Sequence, residues 1–251
     1  MGAILGAIPP RADPADAPAT DGTGRPGRVL LVLRNGVVHR PAIDLARTLA
    51  AGRGLDLEVL DAVRVTRTAP LALPRERLDD HRRTTRDVVR SIREVAPDLA
   101  VDGYVTVGHD LGGVVADAAE SRRVGTVVVD GSWRRPGRPR LSGSPFDALR
   151  KEVDAPVAVP GGGSFPETVS SVLVPIAGGV HTTAVLDVAQ DVAGARDAWI
   201  DLLCVVPSGE PSARRAGAEL LEASESRLAP YEKVDTWLLE ADGVVEAIVE
   251  Q

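Results

Sequence analysis

The chain carries one cysteine, few aromatic residues, almost no lysine and no long apolar run. Cys204 alone makes no internal disulfide and no cysteine-based metal centre. Set in the stretch IDLLCVV, it reads as a small buried hydrophobe. Aromatic residues are 3% of the 251 residues while apolar residues make up 44%, so a core has to be built from Val, Leu, Ile and Ala. Such a core suits parallel strands buried on both faces. Lys151 and Lys233 are the only lysines, and the net charge of -7 argues against a general binder of nucleic acid or anionic membrane. No apolar run reaches the roughly 18 residues of a membrane-spanning helix. The opening MGAILGAIPP is too short for a signal peptide and lacks a basic leading region. The expectation is a cytoplasmic chain with no direct membrane insertion.

Residues 1–27 include PPRADPADAPATDGTGRPG, which cannot bury enough apolar surface to order itself, and are expected to be a disordered lead or linker. A second linker is expected at 161–170, around GGGSFPET. Elsewhere short Val/Leu runs alternate with helical patterns, which predicts βαβ units and a parallel sheet. The first block, 28–160, reads as strands at 28–33, 55–63, 102–107, 125–130 and 155–160. Helices are expected at 41–53, 75–96, 112–123 and 144–153. Leu78, Val88, Ile92 and Val95 are expected to form the buried face of the second helix, and Arg83, Arg86, Arg90 and Arg93 a solvated face.

The second block, 171–251, repeats the first. Shifted by 143 positions, residues 29–63 fall on 172–206 without a gap. Asp44 then meets Asp187, and Arg53 meets Arg196. VDGYVTV (101–107) matches VDTWLLE (234–240), and GGVVADAAE (112–120) matches DGVVEAIVE (242–250). A repeat of this length points to two copies of one fold. The counterpart of 122–159 is missing from the second block, so the second copy is expected to lack its last two strands. Either a partner completes it or the chain is a fragment.

The opening SVLVPIAGGVHTTAVLDVA, the GVVEAIVE helix, and GTVVVDGS followed by SGS and DAPVAVP together resemble the universal stress protein family, in tandem copies with the second incomplete. The resemblance covers 28–160 and 171–251. It implies a Rossmann-like α/β fold with a five-stranded parallel sheet of order 3-2-1-4-5. It also implies self-association, here through the closing strand 155–159, and in some members an ATP or AMP site where the strand order reverses. The AVLDVA-type opening with AGG resembles copies attached to membrane amino-acid permeases, which implies a transporter partner.

Family members that bind ATP have a glycine-rich loop after the fourth strand. Its glycines turn backbone N–H groups toward the phosphates, and a closing Gly-Ser starts a helix that favours anions. Gly131 fits the first glycine and Gly143–Ser144 the end, one residue short of the family spacing. Arg134 stands where the second glycine belongs, and Pro136, Pro139 and Pro145 each remove a donor. Arg134, Arg135, Arg138 and Arg140 are candidates to supply charge instead. The family's Asp at the end of the first strand is Arg34 here, followed by Asn35, and Ala177 in the second copy. Val63 is a candidate wall of an adenine pocket or ordinary core. With Asp130 these residues complete the candidate nucleotide site.

His39, His81, His109 and His181 show no metal-ligand spacing, so no metal site is expected. GHDLGG (108–113) lacks the dinucleotide spacing, no Gly-Lys-Ser/Thr loop occurs, and SGS (142–144) lacks the pattern of a nucleophile elbow. Asp61, Asp130 and Asp201 lie near strand ends with no following lysine to make a phospho-receiver site. The expected function is therefore regulatory and non-enzymatic, with a degenerate, weakened or lost ATP/AMP site in the first copy and no nucleic-acid partner. The alternative is a ligand-free module that regulates a membrane amino-acid transporter.

Overall fold

The structure is a computed structural model that describes residues 3–4, 27–134, 145–161, 166, 168–179 and 182–241. The chain divides into two compact units, Met1–Phe165 and Pro166–Gln251.

In the first unit five parallel strands form one sheet. They are β2 (Arg28–Arg34), β3 (Asp56–Arg64), β4 (Val101–Gly108), β5 (Val124–Val129) and β6 (Val157–Ala158). Their order is β4-β3-β2-β5-β6, which is the expected 3-2-1-4-5. A short strand β1 (Ala3–Ile4) adds to the outer edge of β4, antiparallel, pairing with Val107 and Thr106. Those two residues fall in the stretch expected to be a disordered lead, most of which lies outside the described residues.

The connecting helices are α1 (Arg40–Arg53), α2 (Arg75–Val95), α3 (Leu111–Ser121) and α4 (Pro145–Glu152). Helix α1 opens with a proline in its first turn, where the missing N–H costs nothing. It ends at Gly54, whose left-handed φ of 64° lets its N–H reach the Ala50 and Ala51 carbonyls. Asp110 caps α3 by accepting from the Gly112 N–H at 3.3 Å. Alternation along the strands sends Leu30, Val32, Leu60, Ala62, Val127 and Val129 to the side of α3 and α4. The opposite face lies against α1 and α2.

Helix α2 corrects the expected face. Its buried residues are Thr85, Val89 and Ile92, while Val95 is exposed. Together with His81 they make an i, i+4, i+8, i+11 stripe, two members of which are polar. Thr85 is tolerated there because its hydroxyl donates to the His81 carbonyl at 2.9 Å. Val95 ends the helix and lies beyond the reach of the sheet. Gly103 of β4 permits the close approach, since a Cβ there would stand 2.7 Å from Thr85 Cγ2 and 2.8 Å from Val89 Cγ2.

The second unit has a three-stranded parallel sheet, order β7-β8-β9, from β7 (Ser171–Pro175), β8 (Trp199–Val206) and β9 (Val234–Glu240). Helices α5 (Thr182–Arg196) and α6 (Pro211–Arg227) join them. Val174, Ile176, Leu186, Ile200, Leu202 and Cys204 are core, and the element order repeats that of β2 to β4. The expected helix at 242–250 lies outside the described residues. Among the described residues, no helix is long and apolar enough to cross a membrane.

Candidate functional site

The strand order reverses between β2 and β5, so the crevice where α/β sheets of this kind place ligands opens at their carboxyl ends. Leaving β2, the chain makes a tight reversal from Arg34 to Val37, with Arg34 N to Val37 O at 3.0 Å and Val37 N to Arg34 O at 3.2 Å. The central residues Asn35 (φ 53°) and Gly36 (φ 77°) both have the positive φ of a type I′ turn. Asn35 then ties the turn to β3. Its N–H donates to the Ala62 carbonyl at 3.1 Å, and its Oδ1 accepts from the Arg64 N–H at 2.8 Å. Leaving β5, the chain forms a 3-10 turn, Gly131–Arg134, that buries Trp133 completely against the α3 and α4 side of the core.

Three of the sequence-predicted residues meet here. Arg34 Nη1 donates to the Ser132 carbonyl at 3.2 Å, so its guanidinium spans from the end of β2 to the turn after β5. Asp130 Oδ1 accepts from the Ser132 N–H at 2.8 Å and from the Ser132 hydroxyl. Gly131 lies between them; a Cβ there would meet nothing within 4 Å. Asp130 is 1% exposed, and its Oδ2 is buried without a hydrogen-bond partner among the described residues. Among the described residues, the one Lys, Arg or His nitrogen within 4.0 Å of it is His39 Nε2, 3.9 Å away on a side chain that is 66% exposed.

Of the other predicted residues, Asn35 lies in the turn after β2 and Val63 stands apart. Val63 is buried with Val105 and Val107 beneath Leu73 and Leu78. Arg134 closes the 3-10 turn, and Gly143 and Ser144 lie outside the described residues. Among the described residues no three His, Cys, Asp or Glu side chains gather as a metal site.

One pair escaped the sequence reading. Asp61, fully buried on β3, holds His81 Nδ1 of α2 at 2.7 Å with one carboxylate oxygen. With the other it accepts from the Gly36 N–H at 2.7 Å. Burial pushes the Asp61 carboxyl above its ordinary value, and the Gly36 N–H and His81 only partly oppose that. The pair ties the Asn35–Gly36 turn to α2. The only sequence signal was an acid near the end of an apolar strand; its partner is 20 residues away, on a helix face that reads as polar.

No protein-family model and no curated protein matches the chain. Solved structures do. A universal stress protein from Archaeoglobus fulgidus is similar at 14% identity and a TM-score of 0.57, over 90% of this chain and 81% of that one. A protein of unknown function from Pseudomonas aeruginosa is similar at 18% identity and a TM-score of 0.56, over 89% of this chain and 77% of that one. The cytoplasmic domain of a prokaryotic cation chloride cotransporter is similar at 12% identity and a TM-score of 0.53, over 86% of this chain and 79% of that one. The fold is that of the universal stress proteins.

Proposed function

We propose that this chain is a non-enzymatic regulatory protein of the universal stress type, built of two tandem copies, with a weakened ATP/AMP site in the first. The tandem reading is supported by the sequence repeat and by the matching element order of the two units. The observation that carries the functional reading is the Arg34–Ser132 hydrogen bond, 3.2 Å long, across the crevice. In this fold an acidic residue at that strand end would face the ligand; here an arginine crosses to the phosphate-loop side instead. The remaining turn keeps Asp130 and Gly131. The Ser132 hydroxyl donates to Asp130 Oδ1 at the crevice, but the same oxygen also accepts the Ser132 N–H, so the pair reads as a local turn contact, and this favours occupancy over turnover as the signal. The test is calorimetric titration of the full chain with ATP and AMP, beside an assay for released phosphate. Weak or absent binding without turnover is expected. Binding tighter than about 1 μM, or phosphate release, would overturn the reading.

A second reading is favoured by the likeness to the cotransporter cytoplasmic domain. In it the chain acts from the cytoplasm as an interaction module on a membrane transporter, with no ligand. Self-association through the edge strand β6 fits either reading. A transporter recovered with the tagged full chain from solubilised membranes, unaffected by nucleotide, would favour the second.

A further inference from the structure

In the first unit β2 is an inner strand, with β3 on one side and β5 on the other. The matching strand β7 pairs, among the described residues, only with β8. The Trp199 N–H donates to the Ser170 carbonyl and the Ile176 N–H to the Leu203 carbonyl. Alternation along β7 therefore turns the N–H and C=O groups of Ser171 and Leu173 toward the open edge. Pro175 faces the same way and has no N–H, as suits a strand edge.

The sheet face beside that edge is apolar around an acid. Leu173, Trp199 and Trp237 are 40%, 46% and 50% exposed on it, and so hold two of the three tryptophans of the chain. Tryptophan is the residue that interface centres favour most. Asp201 lies among them, paired in register with Leu173 on one side and Asp235 on the other. It accepts from the Trp237 indole at 3.4 Å and makes no ion pair among the described residues. The first unit shows what such a place takes. There the matching acid, Glu58, and the matching ring, Tyr104, share one cation: Arg122 stands 3.0 Å from the carboxylate and 4.0 Å from the ring centroid. Arg122 comes two residues before β5, the strand that fills the edge, so arginine and strand arrive as one segment. Residues 242–250 match 112–120, not Arg122 or β5, and 241–251 carry three acids and no cation. An occupant that seals Asp201 from water without bringing a cation leaves a carboxylate buried and unpaired, which is costly. A second copy presenting this same face brings another Asp201 and no cation.

We infer that the β7 edge and the Leu173–Trp237 face dock an extended segment of a partner protein, added as a parallel strand beside β7 and led by an arginine two residues ahead of it. The arginine pairs with Asp201 and lies over Trp237, and the apolar side chains of the strand cover Leu173. Strand addition takes its affinity from main-chain hydrogen bonds and its specificity from the side chains. The site belongs to the second unit alone and is independent of whether the first binds a nucleotide.

The test is titration of the full chain with a synthetic peptide, blocked at both ends, of the sequence ESRRVGTVVVD, residues 120–130 of this chain. The peptide has no tryptophan and Trp133 is already fully buried, so a blue shift of emission reports cover over Trp199 and Trp237. Saturation at one peptide per chain, with a Kd below about 1 mM, is expected together with that shift. The same peptide with Arg122→Gln is expected to bind about tenfold more weakly or worse. In the full chain Asp201→Asn keeps the oxygen that accepts from Trp237 but loses the charge, and is expected to bind the two peptides alike. Leu173→Pro removes an N–H at the open edge while sparing those that face β8. It is expected to abolish binding and leave the thermal transition of the chain in place. Absence of saturation, equal binding of the two peptides by the native chain, or binding that survives Leu173→Pro would overturn the inference. So would a blue shift produced by raising the chain concentration alone, with a dimer in sedimentation, which assigns the face to a second copy.

Discussion

His81→Ala isolates the Asp61 carboxylate. In the native chain both of its oxygens are engaged at 2.7 Å, yet burial still holds its carboxyl above the ordinary value of 3.8. Removing the imidazole takes away the one side chain that hydrogen-bonds Asp61 and favours its ionised form. Breaking a buried pair from one side costs about 3–5 kcal/mol. The His81 side chain is 13% exposed, so water reaches the gap and the lower end, about 3 kcal/mol at neutral pH, is expected. The acid has one escape, protonation, which gives the loss a pH signature. A carboxyl whose folded pKa is raised binds its proton more tightly when folded than when unfolded. Its burial is therefore least costly below the unfolded value of 3.8, and stability is lost as pH rises toward the folded one. The deficit of His81→Ala relative to the native chain should start near about 1 kcal/mol at about pH 4, for the lost hydrogen bond. It should then grow by at most about 1.4 kcal/mol per pH unit as the proton comes off. Urea unfolding at several pH values measures this. Trp133, the only tryptophan of the first unit, is fully buried, so its blue-edge emission follows that unit, whereas Trp199 and Trp237 of the second are about half exposed. A deficit that stays constant or shrinks as pH rises would refute the argument.

Two further outcomes test the packing. Gly103→Ala should lower the stability of the first unit by about 1–3 kcal/mol, because the new methyl would stand 2.7 Å from Thr85 Cγ2; an unchanged Trp133 transition would mean that α2 is not pressed against β4. The Cys204 thiol is buried and burial pushes its pKa up, so a thiol reagent should modify the native chain at least about 100-fold more slowly than the urea-unfolded chain. Rapid native reaction would mean that the core of the second unit is open.

The strands and the sheet order were legible because Val/Leu runs at βαβ spacing leave few alternatives. The sheet order matched the expectation, and helix limits fell within a residue or two. What was not legible depends on geometry between elements. The buried face of α2 was misread because Thr85 is satisfied by its own helix and His81 by a strand far away in sequence. Arg34 was flagged as the residue at the end of the first strand, but its reach to Ser132 needs β2 and β5 side by side. Asn35 was placed at the candidate site only as the residue after Arg34, and only the structure shows its Oδ1 spent on Arg64. The orphaned oxygen of Asp130 has no sequence signature at all, because an aspartate beside a Gly-Ser ordinarily satisfies itself.

Matched positions of the two units show how far burial, not sequence, decides what a residue must be given. Leu30 and Tyr104 are buried, but Leu173 and Trp237, at the same places in the second unit, are 40% and 50% exposed. In the first unit β5 pairs with β2 while α3 lies on that face of the sheet; among the described residues β7 pairs only with β8. The acids on this face follow suit. Glu58, nearly sealed from solvent, is answered by two guanidiniums, Arg28 at 2.7 Å and Arg122 at 3.0 Å. Arg122 also covers the Tyr104 ring, 4.0 Å from its centroid. Asp201 occupies the corresponding place in the second unit and is only half-buried; the position matching Arg28 is Ser171, and Asp201 accepts from the Trp237 indole at 3.4 Å. A carboxylate that keeps contact with water needs no counter-ion, and one that loses it does. The second arginine comes from the end of α3, an element of the cover itself. The same covering elements that bury the first unit's apolar face thus create the demand for charge beneath it and supply part of the answer.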